Sequence, residues 1–363
     1  MPADTYPKFR AAAVQAASVF LDRDATIEKT EQLVEQAATR GADLVVFSES
    51  FIPSFPVWNL IHAPIDQHDY TRRLFDNAIT IPSSQFDKLA QIARSNDVFL
   101  SVGITEKGNV SMGAMWNTNL LFDRKGNLLN RHRKLVPTWA EKLSWANGDA
   151  SQMSVADTEI GRLGALICGE NTNTLARFAL LAQGEQVHIS TYPPAWPFQR
   201  PKTEDAYNLT EAIKLRAAAH SFEGKIFNVV SSGLLDEDAI RQLTQGDSDK
   251  ESILRNMPPQ ASFVVGPTGD VIGEPLVGAE GIVEAEIDIS KSIIPKQAHD
   301  IIGYYNRFDI FQLRMNKSPQ LPIIIEGAGI SGGFGSAPEQ VPPSQGHPSS
   351  TFQEVGDPDV SIY

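Results

Sequence analysis

The chain has 363 residues, 42% of them hydrophobic, with 31 Lys and Arg against 44 Asp and Glu for a net charge of −13. That is enough chain to bury a core unaided, and the acidic balance excludes nucleic acid and anionic membrane surfaces, which bind clustered Lys and Arg. One cysteine forms no internal disulfide, no apolar run reaches the roughly 18–20 residues of a membrane span, and no secretory signal opens the chain, so a cytoplasmic protein is expected.

The first expected strand is FRAAAVQAA, residues 9–17, followed by a helix over 25–39 that Gly41 stops. Residues 44–47 (LVVF) are a short apolar run, the signature of a strand buried on both faces, ended by Ser48-Glu49-Ser50. NTNLLFDRKGNLLNRHRKL reads as two strands around the turn 124–127. GRLGALI is then a strand running into Cys168, TLARFALLAQG a helix closed by Gly184, and QVHIST another strand. A helix over NLTEAIKLRAAAHSFEG feeds the strand KIFNVVSS, and a charged helical stretch spans 234–256. ASFVVGPTGDVIGEPL reads as a second hairpin around 267–270, with GIVEAEIDI as a further strand. Strands alternating with helices predict an α/β protein with helices outside the sheets. No repeat of solenoid period occurs. From Gly327 the chain turns rich in Gly, Pro and Ser, so a main domain over 1–320 and a flexible tail over 327–363 are expected.

Three places combine reactive side chains with a suitable setting. Glu49 follows a buried strand, at the edge where open α/β sheets place ligands. Taken alone it reads first as an exposed loop glutamate or a salt-bridge partner, but its flanks SFIPSFPVWN are aromatic and proline-rich, more like a pocket wall. Desolvation there raises a carboxyl pKa toward that of a usable base. Lys134 lies in NRHRKLVPTWAEKLSWANGD, where a basic cluster is either a solvated face or, against Trp139 and Trp145, an ammonium that needs Glu49 or Glu141 as partner. Cys168 is either a small buried hydrophobe or a nucleophile at a strand-to-helix corner, where backbone N–H groups can hold developing negative charge. No histidine motif suits a Cys-His enzyme, and no metal-ligand spacing is present.

In order and spacing, VVFSES, HRKLVPTWAEKLSWANGD and GRLGALICGENTNTLARFALLAQG resemble the three signatures of the nitrilase branch of the carbon–nitrogen hydrolase superfamily. LRAAAHSFEGKIFNVVSS, SFVVGPTGDVIGEPL, EGIVEAEIDI and IGYYNRFDIFQL are similar to further family segments, so the likeness runs from about residue 9 to 313. The resemblance implies a four-layer αββα sandwich and a triad of Glu49 as base, Lys134 as cation and Cys168 as nucleophile. Glu141 matches the family's second glutamate. It also implies hydrolysis of a small-molecule nitrile without cofactor or metal, in a homo-oligomer, either a dimer or a larger spiral. An amidase, or an enzyme that stops at the amide, would use the same triad. A non-catalytic scaffold is disfavoured by the intact triad. Two departures stand out: Gly169 replaces the usual Trp after the nucleophile, and Tyr304 stands where the family often has His. Glu170 keeps the nitrilase pattern. Trp58, Trp145, Tyr192 and Trp196 flank the signature loops and are candidate pocket walls alongside Gly169, or else core.

Overall fold

The computed structural model describes residues 6–198, 207–321 and 323; the expected tail from Gly327 lies outside them. Twelve strands are found among the described residues: β1 (Lys8–Gln15), β2 (Leu44–Val46), β3 (Phe99–Lys107), β4 (Met115–Phe122), β5 (Leu128–Arg133), β6 (Ala156–Thr158), β7 (Gly161–Ile167), β8 (Val187–Tyr192), β9 (Phe227–Ser232), β10 (Ala261–Val265), β11 (Val271–Val277) and β12 (Gly281–Asp288). They form two six-stranded sheets, ordered β12-β1-β2-β3-β4-β5 and β11-β10-β9-β8-β7-β6. Each has three parallel strands at its centre (β1-β2-β3 and β7-β8-β9) and antiparallel strands on both sides. The two halves therefore share one plan. The expected hairpins are β4–β5 and β10–β11. The strand that follows them, β12, leaves the second sheet and pairs with β1 in the first.

Alternation along the strands sorts side chains into layers. Ala11 and Ala13 of β1 join Leu44, Val46, Val187, Ile189 and Val229 in a core between the sheets. Ala12 and Val14 point the other way, into a core with α1 (Arg23–Thr39) and with the helix at Ser84–Asn96. On the far side Leu166 packs against the helix at Thr174–Ala182, and a fourth cluster joins the helix at Leu209–Gly224 to the end of β7. The result is helices, sheet, sheet, helices: the expected αββα sandwich. Most helix starts are capped by side chains that their sequences supply. Asp22 accepts from Ala25 N at 3.0 Å, and Asn173 from Leu175 N at 3.0 Å. The charged stretch 234–256 is two helices, Glu237–Thr244 and Ser248–Arg255, broken where Gln245 and Gly246 take positive φ. Among the described residues no helix is long and apolar enough to cross a membrane.

Candidate active site

Glu49 and Cys168 follow the carboxyl ends of parallel strands β2 and β7, and Lys134 follows β5. All three side chains are buried, and they meet. The Lys134 ammonium lies 2.7 Å from Glu49 Oε1 and 2.6 Å from Glu141 Oε2. Cys168 Sγ and one carboxylate oxygen from each glutamate all lie within 4.8 Å of one another. The ammonium fills the space between the carboxylates that a cation would otherwise need. Asn117 of β4 donates to Glu49 Oε1 at 2.7 Å, and Thr138 N donates to Glu141 Oε2 at 2.9 Å. One oxygen of each glutamate, Glu49 Oε2 and Glu141 Oε1, is buried without a protein partner.

The backbone supporting these groups is strained. Ser50 beside Glu49, Trp139 in the Lys134 loop, and Cys168 itself adopt φ of 45°, 47° and 50°. For non-glycine residues such values cost on the order of 1–3 kcal/mol each and persist only where surrounding contacts enforce them. Glu170 supplies some of that enforcement. Its buried carboxylate accepts from Ile167 N, from Leu135 N and from the His132 ring, tying the turn at Cys168 to the loop at Lys134. On the other strand end, Gly103 of β3 lets the Glu49 loop pack directly on the sheet: a Cβ there would sit 2.3 Å from Ser48 O and 2.5 Å from Ser50 N. Gly103→Ala is therefore expected to lose ~1–3 kcal/mol of stability, as overpacking typically does. Urea unfolding checks it, and an unchanged midpoint would show that the loop has slack.

Burial sets the protonation states. It pushes the Glu49 carboxyl up to about 7, with Lys134 pulling the other way and Glu141 adding to the rise. It also pushes the Cys168 thiol well above its ordinary value, reinforced by Glu49 and opposed by Lys134. Burial would lower Lys134, but Glu141 and Glu49 outweigh it and hold the ammonium well above its usual range. The site thus holds a protonated thiol beside a carboxyl group poised near neutrality, next to a fixed positive charge.

The four aromatic candidates are all buried and share one cluster with Cys168 and Phe55. Trp145 and Trp196 meet Phe55 edge-on, at centroid distances of 5.5 and 6.3 Å. Trp58 instead stacks on Tyr70 at 5.2 Å and meets Phe20 edge-on, an arrangement of core packing. Tyr304 is 64% exposed. Sequence reasoning passed over Asn117 and His132, both polar and inward-facing within strands. The one available signal was the polar run Asn117-Thr118-Asn119 in an otherwise apolar strand.

Residues 10–293 match the family described as carbon–nitrogen hydrolase. The chain is 34% identical over 319 residues to a nitrilase from Bacillus sp., covering 88% of this chain and 91% of that protein. It is 32% identical over 317 residues to a nitrilase from Paraburkholderia phymatum, covering 87% and 88%. Among solved structures, the carbon–nitrogen hydrolase from Helicobacter pylori G27 is similar in fold, with a TM-score of 0.62 at 20% identity, over 80% of this chain and 93% of that one.

Proposed function

The chain belongs to the carbon–nitrogen hydrolase family, in its nitrilase branch, and on that premise we propose that it hydrolyses an organic nitrile to the carboxylic acid and ammonia through a covalent Cys168 intermediate. The observation that carries this reading is the convergence of one thiol, two carboxylates and one ammonium at a single buried point.

A nitrile carbon is a weak electrophile, so attack needs a thiolate and relief of the charge that builds on nitrogen. Glu49 takes the Sγ proton as the sulfur–carbon bond forms, and that proton passes to the nitrile nitrogen, giving a thioimidate. Lys134 faces the nitrogen as its charge develops, the role an oxyanion hole plays in acyl transfer. Glu141 is the ammonium's second carboxylate partner. A water deprotonated by Glu49 then adds to the thioimidate carbon, and the tetrahedral adduct expels ammonia to leave a thioester. A second water releases the acid and restores the thiol. The net reaction consumes two waters per nitrile.

Ammonia, acid and amide measured separately, on aliphatic, arylaliphatic and aromatic nitriles with the matching amides in parallel, test this reading. Acid and ammonia from nitriles support it; preferential turnover of the amides would make the enzyme an amidase instead. Gly169 bears on which nitriles are accepted. It is half-buried, and a Cβ there would lie 2.9 Å from Thr138 Oγ1, in the loop that carries Lys134. An indole at this position wedges between the two loops, so Gly169→Trp is expected to narrow the range toward smaller nitriles. An unchanged profile across the same panel would place residue 169 outside the substrate's reach.

A further inference from the structure

Behind the nucleophile lies a second buried polar cluster that the proposed mechanism does not use. Glu185, His188 and His220 are each 2% exposed or less. Glu185 Oε1 is 2.6 Å from His188 Nδ1, and Glu185 Oε2 is 3.0 Å from His220 Nε2. The residue types suit a metal ion, but a carboxylate oxygen and a ring nitrogen at 2.6 Å share a proton and leave no room for a cation between them.

Hydrogen-bond logic fixes where the protons are. The Asn171 amide donates through Nδ2 to Leu166 O at 3.2 Å and to Cys168 O at 3.1 Å. Its orientation is thereby set, and Oδ1 must be the acceptor facing His188 Nε2 at 2.9 Å. Ser190 Oγ donates to the same oxygen at 3.2 Å. His188 therefore donates from Nε2 to Asn171 and shares a proton through Nδ1 with Glu185. Burial would raise the Glu185 carboxyl, but His188 and His220 hold it at about 2. Burial and His188 together push His220 down to about 4, so it faces the pair neutral.

We propose that Glu185, His188 and Asn171 form a positioning relay that clamps the carbonyls of Leu166 and Cys168, and so holds the nucleophile in its left-handed turn with Sγ aimed at Glu49 and Lys134. The turn has φ of 50° at Cys168, a conformation that needs external enforcement. Asn171 grips it on both sides of the strand end, and the donor at His188 Nε2, itself oriented by Glu185, fixes Asn171. The relay rests on the reading of Cys168 as nucleophile; it does not touch substrate.

The test reads thiol presentation directly, as the second-order rate of Cys168 alkylation by iodoacetamide, alongside ammonia release from a nitrile. Asn171→Leu, close in volume but without the amide, is expected to lower both rates at least ~10-fold, since small misplacements of reacting groups cost up to about 100-fold. His188→Gln keeps a donor near the position of Nε2 and is expected to stay within a few-fold of the parent; His188→Asn cannot reach Asn171 and is expected to fall as far as Asn171→Leu. The double variant Asn171→Leu/His188→Asn is expected to be no slower than either single one, as for residues acting as a unit. Parent-like alkylation in folded Asn171→Leu, equal rates for His188→Gln and His188→Asn, or multiplied losses in the double variant would each overturn the relay. Should Asn171→Leu fail to fold, the two His188 variants decide the question. A parent enzyme that releases no ammonia from any nitrile would sink the nitrilase reading but leave the alkylation comparison standing.

Discussion

Cys168→Ala is expected to keep the fold and lose nitrile turnover by at least ~10⁴-fold, the scale of loss when a covalent nucleophile is removed. The fold should survive because among the described residues no buried group depends on a hydrogen bond from the thiol. The turn is held instead through its backbone, by Asn171 on Leu166 and Cys168 carbonyls and by Glu170 on Ile167 N. The chemistry should not survive, since among the described residues the other side chains bonded to Glu49 and Lys134 are Asn117 and Glu141, neither a nucleophile of comparable strength. Intact-protein mass spectrometry of the parent during turnover should show an adduct of substrate mass on the only cysteine of the chain, and the variant should show none. Ammonia release by Cys168→Ala at more than a few per cent of the parent rate would mean that water, not sulfur, attacks the nitrile. A loss of turnover accompanied by a large drop in unfolding stability would instead mean that the thiol is also part of the core.

How much of this was legible beforehand depended on whether a residue's role lay in its local sequence. Glu49 and Cys168 each follow a strand with a clear apolar run, but Lys134 follows the mixed strand LLNRHR, and only the resemblance joined the three as a triad. The sandwich was legible through the resemblance, and in part through the alternation of strand and helix. The division of strands between sheets was not: GIVEAEIDI follows a hairpin of the second sheet, and nothing local says that it crosses to pair with β1. The supporting network was equally hidden. Asn171 bonds a carbonyl only three residues back, but Asn117 and His188, ordinary polar residues within strands, have partners 68 and 17 residues away. Long-range pairing of this kind leaves no periodicity to read. The helices over residues 57–96 went unassigned for a related reason: His68–Asn77 is strongly polar, with only Tyr70 and Leu74 fully buried, so its apolar face is too narrow to mark it.

The second large effect concerns Lys134, and its sign depends on pH. Lys134→Met preserves most of the side-chain volume but leaves the buried Glu49 and Glu141 carboxylates without the ammonium they share. Removing one partner of a buried ion pair typically costs about 3–5 kcal/mol, most of it the penalty of the stranded charge. That penalty can be relieved only by protonation. In the parent, the folded Glu49 carboxyl already sits at about 7 against an ordinary value of 4.5. Because the folded value is raised, its contribution to stability is fully present below about pH 4.5 and is lost as pH rises through about 7. Deleting the ammonium removes an interaction that pulls Glu49 down, so the folded value rises further and the loss extends to higher pH. Lys134→Met should therefore be only mildly destabilised at pH 5 and severely so at pH 8, as read from urea unfolding at both. Turnover should fall on the order of 100- to 1000-fold at pH 8, the usual consequence of removing one charge-stabilising group. Lowering the pH should not recover it, because the protonation that rescues the fold disables the base. A variant destabilised equally at both pH values would show that the two carboxylates do not depend on the ammonium, and would leave Lys134 with a role in packing alone.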